Sequence, residues 1–428
     1  MLFSRNRALE AMFTAHASSL AADEGLSAAI LREGIESGRM VLLGNPNHQS
    51  VRPAIIGQPA RVKVNANIGT SPMCDCVQTE MRKLKAALDA GTDTIMDLSI
   101  SGDLDAIRMK MLADCPVPLG TVPMYAVAQK ILDADEDVAC MTPGSLFEEI
   151  EKQARQGVDF MTVHCGLTQR GAKWAAQKGV AGSRKMGIVS RGGSILARWM
   201  LSNHRENPLL EQFDTLIDIA RTYNVTLSLG DGLRPGAGAD AGDAAQWEEV
   251  ITLGRLAARA LDAGVQCMIE GPGHVPMHQV EAQIVGIKRL TNGTPLYVLG
   301  PLVVDSAAGY DHIAGAIGGA IAVRSGVDFL CYLTPAEHLT LPNEDDVRDG
   351  VMASRIAAQA GEVALGRPLA LQREADMNQA RSALNWEAME AAALSSESVK
   401  KRREPHRMHE ECAMCGKFCA VKMLRDTQ

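Results

Sequence analysis

Nine short β-rich runs alternate with helix-period segments along this chain, and that rhythm narrows the folds open to it. The runs are 61–67, 94–98, 118–122, 160–164, 186–190, 226–231, 266–270, 296–299 and 329–333. Between them, apolar residues recur at helical spacing over 77–90, 103–113, 146–156, 209–223 and 244–263. Strand and helix alternating at this interval read as a parallel sheet with crossover helices. Nine runs is one more than a (β/α)8 barrel needs, and the pattern does not mark the extra one. A doubly wound open sheet competes, but no Gly-x-Gly-x-x-Gly follows the first run. The barrel is favoured because nearly every run ends in polar or glycine residues: Asn65 and Asn67, Asp97 and Ser99, His164, Asp231-Gly232, Glu270-Gly271. In a barrel such ends converge on one face, where active sites are built.

The expected organisation is an N-terminal region over 1–60, with helical segments at 7–20 and 26–37 and a loop around 45–48. A barrel follows over 61–344, then a helical C-terminal domain over 345–394. A tether and tail complete the chain over 395–428. With 46% apolar residues the core is sizeable, and no apolar run reaches the roughly 18 residues of a membrane span. A net charge of −8 argues against a broad nucleic-acid face. No signal peptide opens the chain, so a cytoplasmic enzyme is expected. The one basic run, Lys400-Lys401-Arg402-Arg403, reads as a solvated linker or as a docking site for a phosphate or an acidic partner.

The tail carries Cys412-Ala413-Met414-Cys415-Gly416-Lys417-Phe418-Cys419, three cysteines in eight positions. Three thiolates at this spacing fit a [4Fe–4S] cluster with its fourth iron open to a small ligand. His409 lies three residues upstream, so a Cys3His zinc knuckle also fits, as do unliganded thiols. A disulfide scaffold fits poorly, because ten cysteines in 428 residues is sparse.

Three further segments carry candidate chemistry. Ser190-Arg191-Gly192-Gly193-Ser194 leaves a β-rich run and enters an apolar helix, which suits phosphate binding: glycines admit the anion, the helix start favours negative charge, and Arg191 offers a fork. The plain alternative is a tight turn with a solvated arginine. In Asp231-Gly232-Leu233-Arg234-Pro235-Gly236, Asp231 and Arg234 either pair with each other or present an acceptor and a donor to a polar substrate. Glu270-Gly271-Pro272-Gly273-His274 places an acid and a histidine at a strand end, and His338 closes the last β run. Two histidines on separate strand ends fit a shared divalent metal; the simpler reading takes each as a lone histidine.

Six segments together, NANIGTS (65–71), MGIVSRGGS (186–194), SLGDGLRPG (228–236), MIEGPGHVPM (268–277), GYDHI (309–313) and LTPAEHL (333–339), resemble the radical S-adenosylmethionine phosphomethylpyrimidine synthase family and its 5-hydroxybenzimidazole synthase paralogue. The resemblance, which includes the terminal cysteines, runs from about residue 40 to the end. It implies a barrel enzyme that acts on 5-aminoimidazole ribotide, supplied with electrons by an unidentified low-potential donor. It also implies a homodimer in which the cluster tail of one subunit covers the other's barrel mouth. Carried over by motif, substrate contacts fall on Asn67, Met96, Tyr125, His164, Ser190, Arg191, Gly192, Asp231, Gly232, Leu233, Arg234, Glu270 and Tyr297, with Glu270 and Tyr297 the candidate catalytic pair. Zinc falls on His274 and His338, and the cluster on Cys412, Cys415 and Cys419. The hard chemistry then belongs to the cluster and S-adenosylmethionine, and the protein's part is positioning and exclusion of water.

Two departures stand out. The second cysteine gap holds three residues where longer family members have four. Where the pyrimidine synthases read DIAPGYDHI, this chain reads Asp305-Ser306-Ala307-Ala308-Gly309-Tyr310-Asp311-His312-Ile313; the lost proline frees φ and restores an N–H. The loops after Leu98 and Arg234 also differ. If these loops line the barrel mouth, they point to the benzimidazole branch, whose product is a cobamide lower-ligand precursor made under anaerobic conditions. The pyrimidine branch of thiamine biosynthesis is the alternative. Outside the family, a zinc-dependent barrel lyase with a structural zinc tail and a non-catalytic iron–sulfur carrier are the competing readings.

Overall fold

The computed structural model describes residues 2–177 and 184–425. Two short strands, β1 (Val41–Leu43) and β2 (Ala54–Ile56), pair antiparallel ahead of the barrel. Eight more follow: β3 (Lys63–Ile68), β4 (Thr94–Asp97), β5 (Leu119–Thr121), β6 (Phe160–Val163), β7 (Thr226–Leu229), β8 (Cys267–Gly271), β9 (Leu296–Leu299) and β10 (Phe329–Cys331). Each pairs in parallel with the next, and β10 closes on β3 with Phe329 opposite Lys63. This is the expected (β/α)8 TIM-type barrel.

The extra run is 186–190. It has no strand structure and instead leads into the helix Arg191–Asn203. The reason is topological. β6 and β7 pair directly, Phe160 with Thr226, and a closed barrel leaves no free edge between them. Among the described residues the insertion between β6 and β7 carries the helices Gln169–Ala176, Arg191–Asn203, Pro208–Glu211 and Phe213–Tyr223, and 186–190 is loop.

The β1–β2 hairpin was not legible as strand, since three-residue runs carry almost no periodicity. Its side chains alternate as a strand requires. Leu42 and Ile55 join the core of the N-terminal helices, while Val41, Leu43 and Ile56 pack with Phe160, Met268 and Phe329. Phe160 and Phe329 open their strands, so the hairpin plugs the N-terminal end of the barrel. Burial of each of these three side chains contributes roughly 1.5–3 kcal/mol. Polar ties fix the plug: the Gln266 side chain accepts from the Leu42 N–H at 2.7 Å and donates to its carbonyl at 3.0 Å. Buried Asp159 accepts from the Asn45 N–H and faces His48 Nδ1, both at 2.7 Å. With one end closed, only the C-terminal end of the barrel is free to form a site.

Contacts divide the chain into two compact units, Met1–Gly361 and Glu362–Gln428. In the second, the helical run is broken between residues 382 and 386. Helix Pro368–Ser382 ends before Leu384, which takes a left-handed conformation (φ 51°), and Asn385 caps the next helix, Trp386–Ala392, by accepting from the Ala388 N–H. The expected tether contains a helix of its own, Ser396–Arg403, capped by Ser395. Among the described residues no helix is long and apolar enough to cross a membrane.

Candidate active site

Parallel strands in register bring their C-terminal ends to one level. Asn67 lies opposite Met96, and Glu270 opposite Tyr297. Together with Tyr125, His164, Asp231 and Arg234 these side chains line one cavity at the open end of the barrel. Eight of the residues implicated by the resemblance thus share a single bowl, although they span residues 67 to 297 of the sequence. Thr162 and Cys331 line it as well, and sequence reasoning missed both. The available signal was alternation: Thr162 is two residues before His164, so a strand points both side chains inward.

The bowl is lined by several buried polar side chains. Glu270 Oε1 accepts from Thr162 Oγ1 at 2.6 Å and from Ser228 Oγ at 2.8 Å, and burial outweighs those bonds to push its carboxyl up. Burial likewise pushes Asp231 up to about 8, even though Arg234 Nη1 lies 3.1 Å from it. Burial, with the charge of Arg234, pushes His164 down to about 3, so its imidazole is neutral. The site therefore holds carboxyls poised to carry protons beside one fixed cation.

His164 also locks the neighbouring turn. Its Nε2 is 3.1 Å from Ser190 Oγ, which caps helix Arg191–Asn203 by accepting from the Gly193 N–H, also at 3.1 Å. A methyl group at Gly192 would strike the His164 ring, so this position takes no side chain. His164 Nδ1 is buried without a partner among the described residues, a free polar atom at the floor of the site. Arg191 extends outward, its guanidinium carbon 4.9 Å from the Tyr125 ring centroid. It lines a second cavity that adjoins the first through Asn67 and Leu98 and that also receives His338.

Gly232 and Leu233 contribute backbone only. Leu233 is fully buried; its N–H donates to Glu249 Oε2 at 2.7 Å and its carbonyl accepts from Arg184. Arg184 is itself anchored on Asp243. These supports hold the Asp231–Arg234 turn in place, and no local motif announces them.

His274 and His338 do come together, with ring centroids 5.3 Å apart. Nδ1 of His274 faces Asp305 at 2.8 Å, and Nδ1 of His338 faces Asp311 at 3.5 Å. Although partial burial works against it, the Gly238 N–H and His274 keep the Asp305 carboxyl below its usual range. Carboxylates behind Nδ1 orient each ring and leave Nε2 for a metal. Two imidazoles would leave most of a zinc ion's positions to water or substrate, and among the described residues no group of three or more His, Cys, Asp or Glu is placed to hold a metal.

In the second unit, Cys412, Cys415 and Cys419 sit on one compact turn. The Gly416 N–H returns to the Cys412 carbonyl at 3.2 Å, and the Phe418 N–H to Cys415 at 2.9 Å. Backbone N–H groups of Cys415 and Met414 pull the Cys412 thiol below its ordinary value, while burial and the Cys412 sulfur raise Cys415. Three soft thiols with amide support suit an iron–sulfur cluster. His409 lies on the surface, its carbonyl held by Arg403.

A plugged (β/α)8 barrel with buried carboxyls at its open end, joined to a three-cysteine turn on a separate unit, defines a cluster-dependent barrel enzyme. The chain belongs to the Radical SAM ThiC family, whose profile matches residues 4–426. It is 48% identical over 421 residues to the phosphomethylpyrimidine synthase of Thermoanaerobacter sp., covering 98% of this chain and 96% of the relative. It is 49% identical over 405 residues to that of Desulfitobacterium hafniense, covering 94% and 93%. Among solved structures it is similar to the dihydropteroate synthase of Thermus thermophilus, at 14% identity and a TM-score of 0.41, over 76% of this chain and 99% of that one.

Proposed function

We propose that the chain is a phosphomethylpyrimidine synthase, converting 5-aminoimidazole ribotide to 4-amino-5-hydroxymethyl-2-methylpyrimidine phosphate for thiamine. The observation that carries this reading is the near full-length identity, at 46–49%, to relatives of that name. The benzimidazole expectation loses its main support. Ser306 and Ala308 are exposed, and neither lines the cavity, so their departure from the pyrimidine-type loop does not reshape the reacting space.

In this reading Arg191 holds the substrate phosphate at the start of its helix. Asp231, Arg234 and His164 orient the polar edges of the imidazole and ribose, and Met96, Tyr125 and Tyr297 wall the ring faces and exclude water. Glu270, its Oε1 already engaged by two hydroxyls, has Oε2 left to move a proton. Cys412, Cys415 and Cys419 hold the [4Fe–4S] cluster, and His274 and His338 hold zinc. When bound, the cluster and S-adenosylmethionine supply a 5′-deoxyadenosyl radical that abstracts hydrogen from the ribotide. The enzyme works as a homodimer and draws electrons from a low-potential donor.

The deciding experiment is anaerobic turnover with 5-aminoimidazole ribotide and product identification by mass. A phosphorylated aminopyrimidine together with 5′-deoxyadenosine is expected. A phosphate-free bicyclic product would return the chain to the benzimidazole branch, and no 5′-deoxyadenosine at all would remove it from radical chemistry.

A further inference from the structure

The basic run at 400–403 has no part in the site described above, yet it is built into the same small unit as the cysteines. Residues 396–425 carry eight basic side chains against four acidic ones, a net +4 within a chain of net −8. Local pairing consumes most of the acids. Lys422 binds Glu410 and Glu411, and Arg407 binds Glu404. The unpaired excess falls on Lys400, Lys401 and Arg402, all exposed on helix Ser396–Arg403, and on Lys417, exposed between Cys415 and Cys419. No ion pair engages these four among the described residues.

The helix and the cysteine turn are fastened together. The Arg403 guanidinium stacks 4.0 Å from the Trp386 ring and donates to the carbonyls of His409 and, at 3.0 Å, Glu411. Trp386 Nε1 donates to the Glu410 carbonyl at 2.8 Å. The last residue of the basic run thus clamps the segment that leads into Cys412, and the exposed charges keep a fixed place beside the cysteines.

We propose that Lys400, Lys401, Arg402 and Lys417 form the docking surface for an acidic, one-electron carrier protein that reduces the cluster. The proposal rests on the radical-enzyme reading, since only a redox-active cluster needs such a partner. A cluster held at a surface turn must take its electron from outside the chain. A basic field on an otherwise acidic protein steers an acidic carrier to that turn and away from the rest of the molecule. Small, charge-guided contacts of this kind suit electron transfer, where the partner must leave again.

The test uses the full-length, cluster-loaded enzyme and its K400E/K401E/R402E variant, with an acidic ferredoxin as the probe. Direct binding is measured at low and at moderate salt, and 5′-deoxyadenosine formation is followed with reduced ferredoxin and, separately, with dithionite. The wild type should bind ferredoxin and lose at least tenfold in affinity as salt screens the contact. The variant should lose binding and at least tenfold in ferredoxin-driven rate, while its dithionite-driven rate, iron content and oligomeric mass stay unchanged. Equal ferredoxin binding by both proteins would overturn the proposal, whatever the rates. An equal fall with both reductants, or a changed oligomeric mass, would assign the charges to the enzyme's own assembly. If neither protein forms 5′-deoxyadenosine with either reductant, the functional reading fails, and the binding comparison still decides the surface.

Discussion

The Arg191 guanidinium lies over the Tyr125 ring, its central carbon 4.9 Å from the ring centroid. Arg191 opens a helix within the β6–β7 insertion, and Tyr125 belongs to helix Pro123–Asp133, which follows β5. A cation held over an aromatic face keeps its planar fork oriented while its N–H groups stay available. The arrangement suits a phosphate clamp that is set before substrate arrives. Arg191→Ala should weaken ribotide binding by about 1.5–3 kcal/mol, the scale of a hydrogen bond to a charged group. Arg191→Lys should recover only part of it, because a point charge does not replace a fork. Calorimetry with the ribotide in the absence of S-adenosylmethionine measures this; unchanged affinity in the alanine variant would remove Arg191 from the clamp.

The three tail cysteines should act as a set. Changing Cys412, Cys415 or Cys419 to Ala should abolish 5′-deoxyadenosine formation and the cluster's visible absorbance while the barrel keeps its circular dichroism. Of the seven other cysteines, Cys115, Cys165, Cys267 and Cys331 are buried and offer no substitute ligands. Cys165 and Cys267 are buried in the barrel, and burial pushes the Cys331 thiol up to about 12. A Cys419→Ala enzyme with normal iron content and turnover would show that the assignment is wrong.

Zinc affinity should depend on residues behind the ligands. Asp305→Asn removes the carboxylate that orients His274 and should lower zinc affinity about 10–100-fold, the usual scale for such partners. The His274→Ala/His338→Ala double variant should lose the metal outright. Zinc content after equilibration against a graded chelator reads both, and zinc unchanged in the double variant would move the site elsewhere.

The neutral His164 makes a stability prediction with a definite sign. Its folded value, about 3, lies below the ordinary 6.5, so the unfolded chain takes up the proton first. Stability from this group is complete above pH 6.5 and falls as pH drops towards 3, by up to about 1.4 kcal/mol per pH unit. Asp231, raised to about 8, works in the opposite sense and loses stability as pH rises from about 4 to 8. Because Asp231 is common to both proteins, the difference between wild type and His164→Gln isolates the histidine. Urea midpoints at pH 5 and pH 7 should show a smaller acid loss in the variant; parallel pH curves would mean that His164 is charged in the fold.

Much of this site is legible in the order of the residues. Asp231, Arg234, Glu270 and His274 stand at the ends of β-rich runs, and a barrel sends such ends to one face. The cysteine turn is legible because its ligands are local. Cys331 and Thr162 are not, since nothing in a short apolar run says which side chain faces inward until the register is known. The 186–190 run misleads because a β-rich composition states a preference, and a closed barrel has no edge left to satisfy it.

The sequence alone determined the alternation that makes a barrel and the cysteine spacing. Each depends on residues close together in the chain, where spacing is already geometry. Only the tertiary structure decided that Asp305 stands behind His274, that Glu249 and Arg184 brace the Asp231–Arg234 turn, and that Ser306 and Ala308 lie outside the reacting cavity. Those relations join residues 16 to 50 positions apart, or depend on which face of a loop meets water. Burial, which sets whether Asp231 and His164 carry a charge, exists only once the barrel has closed.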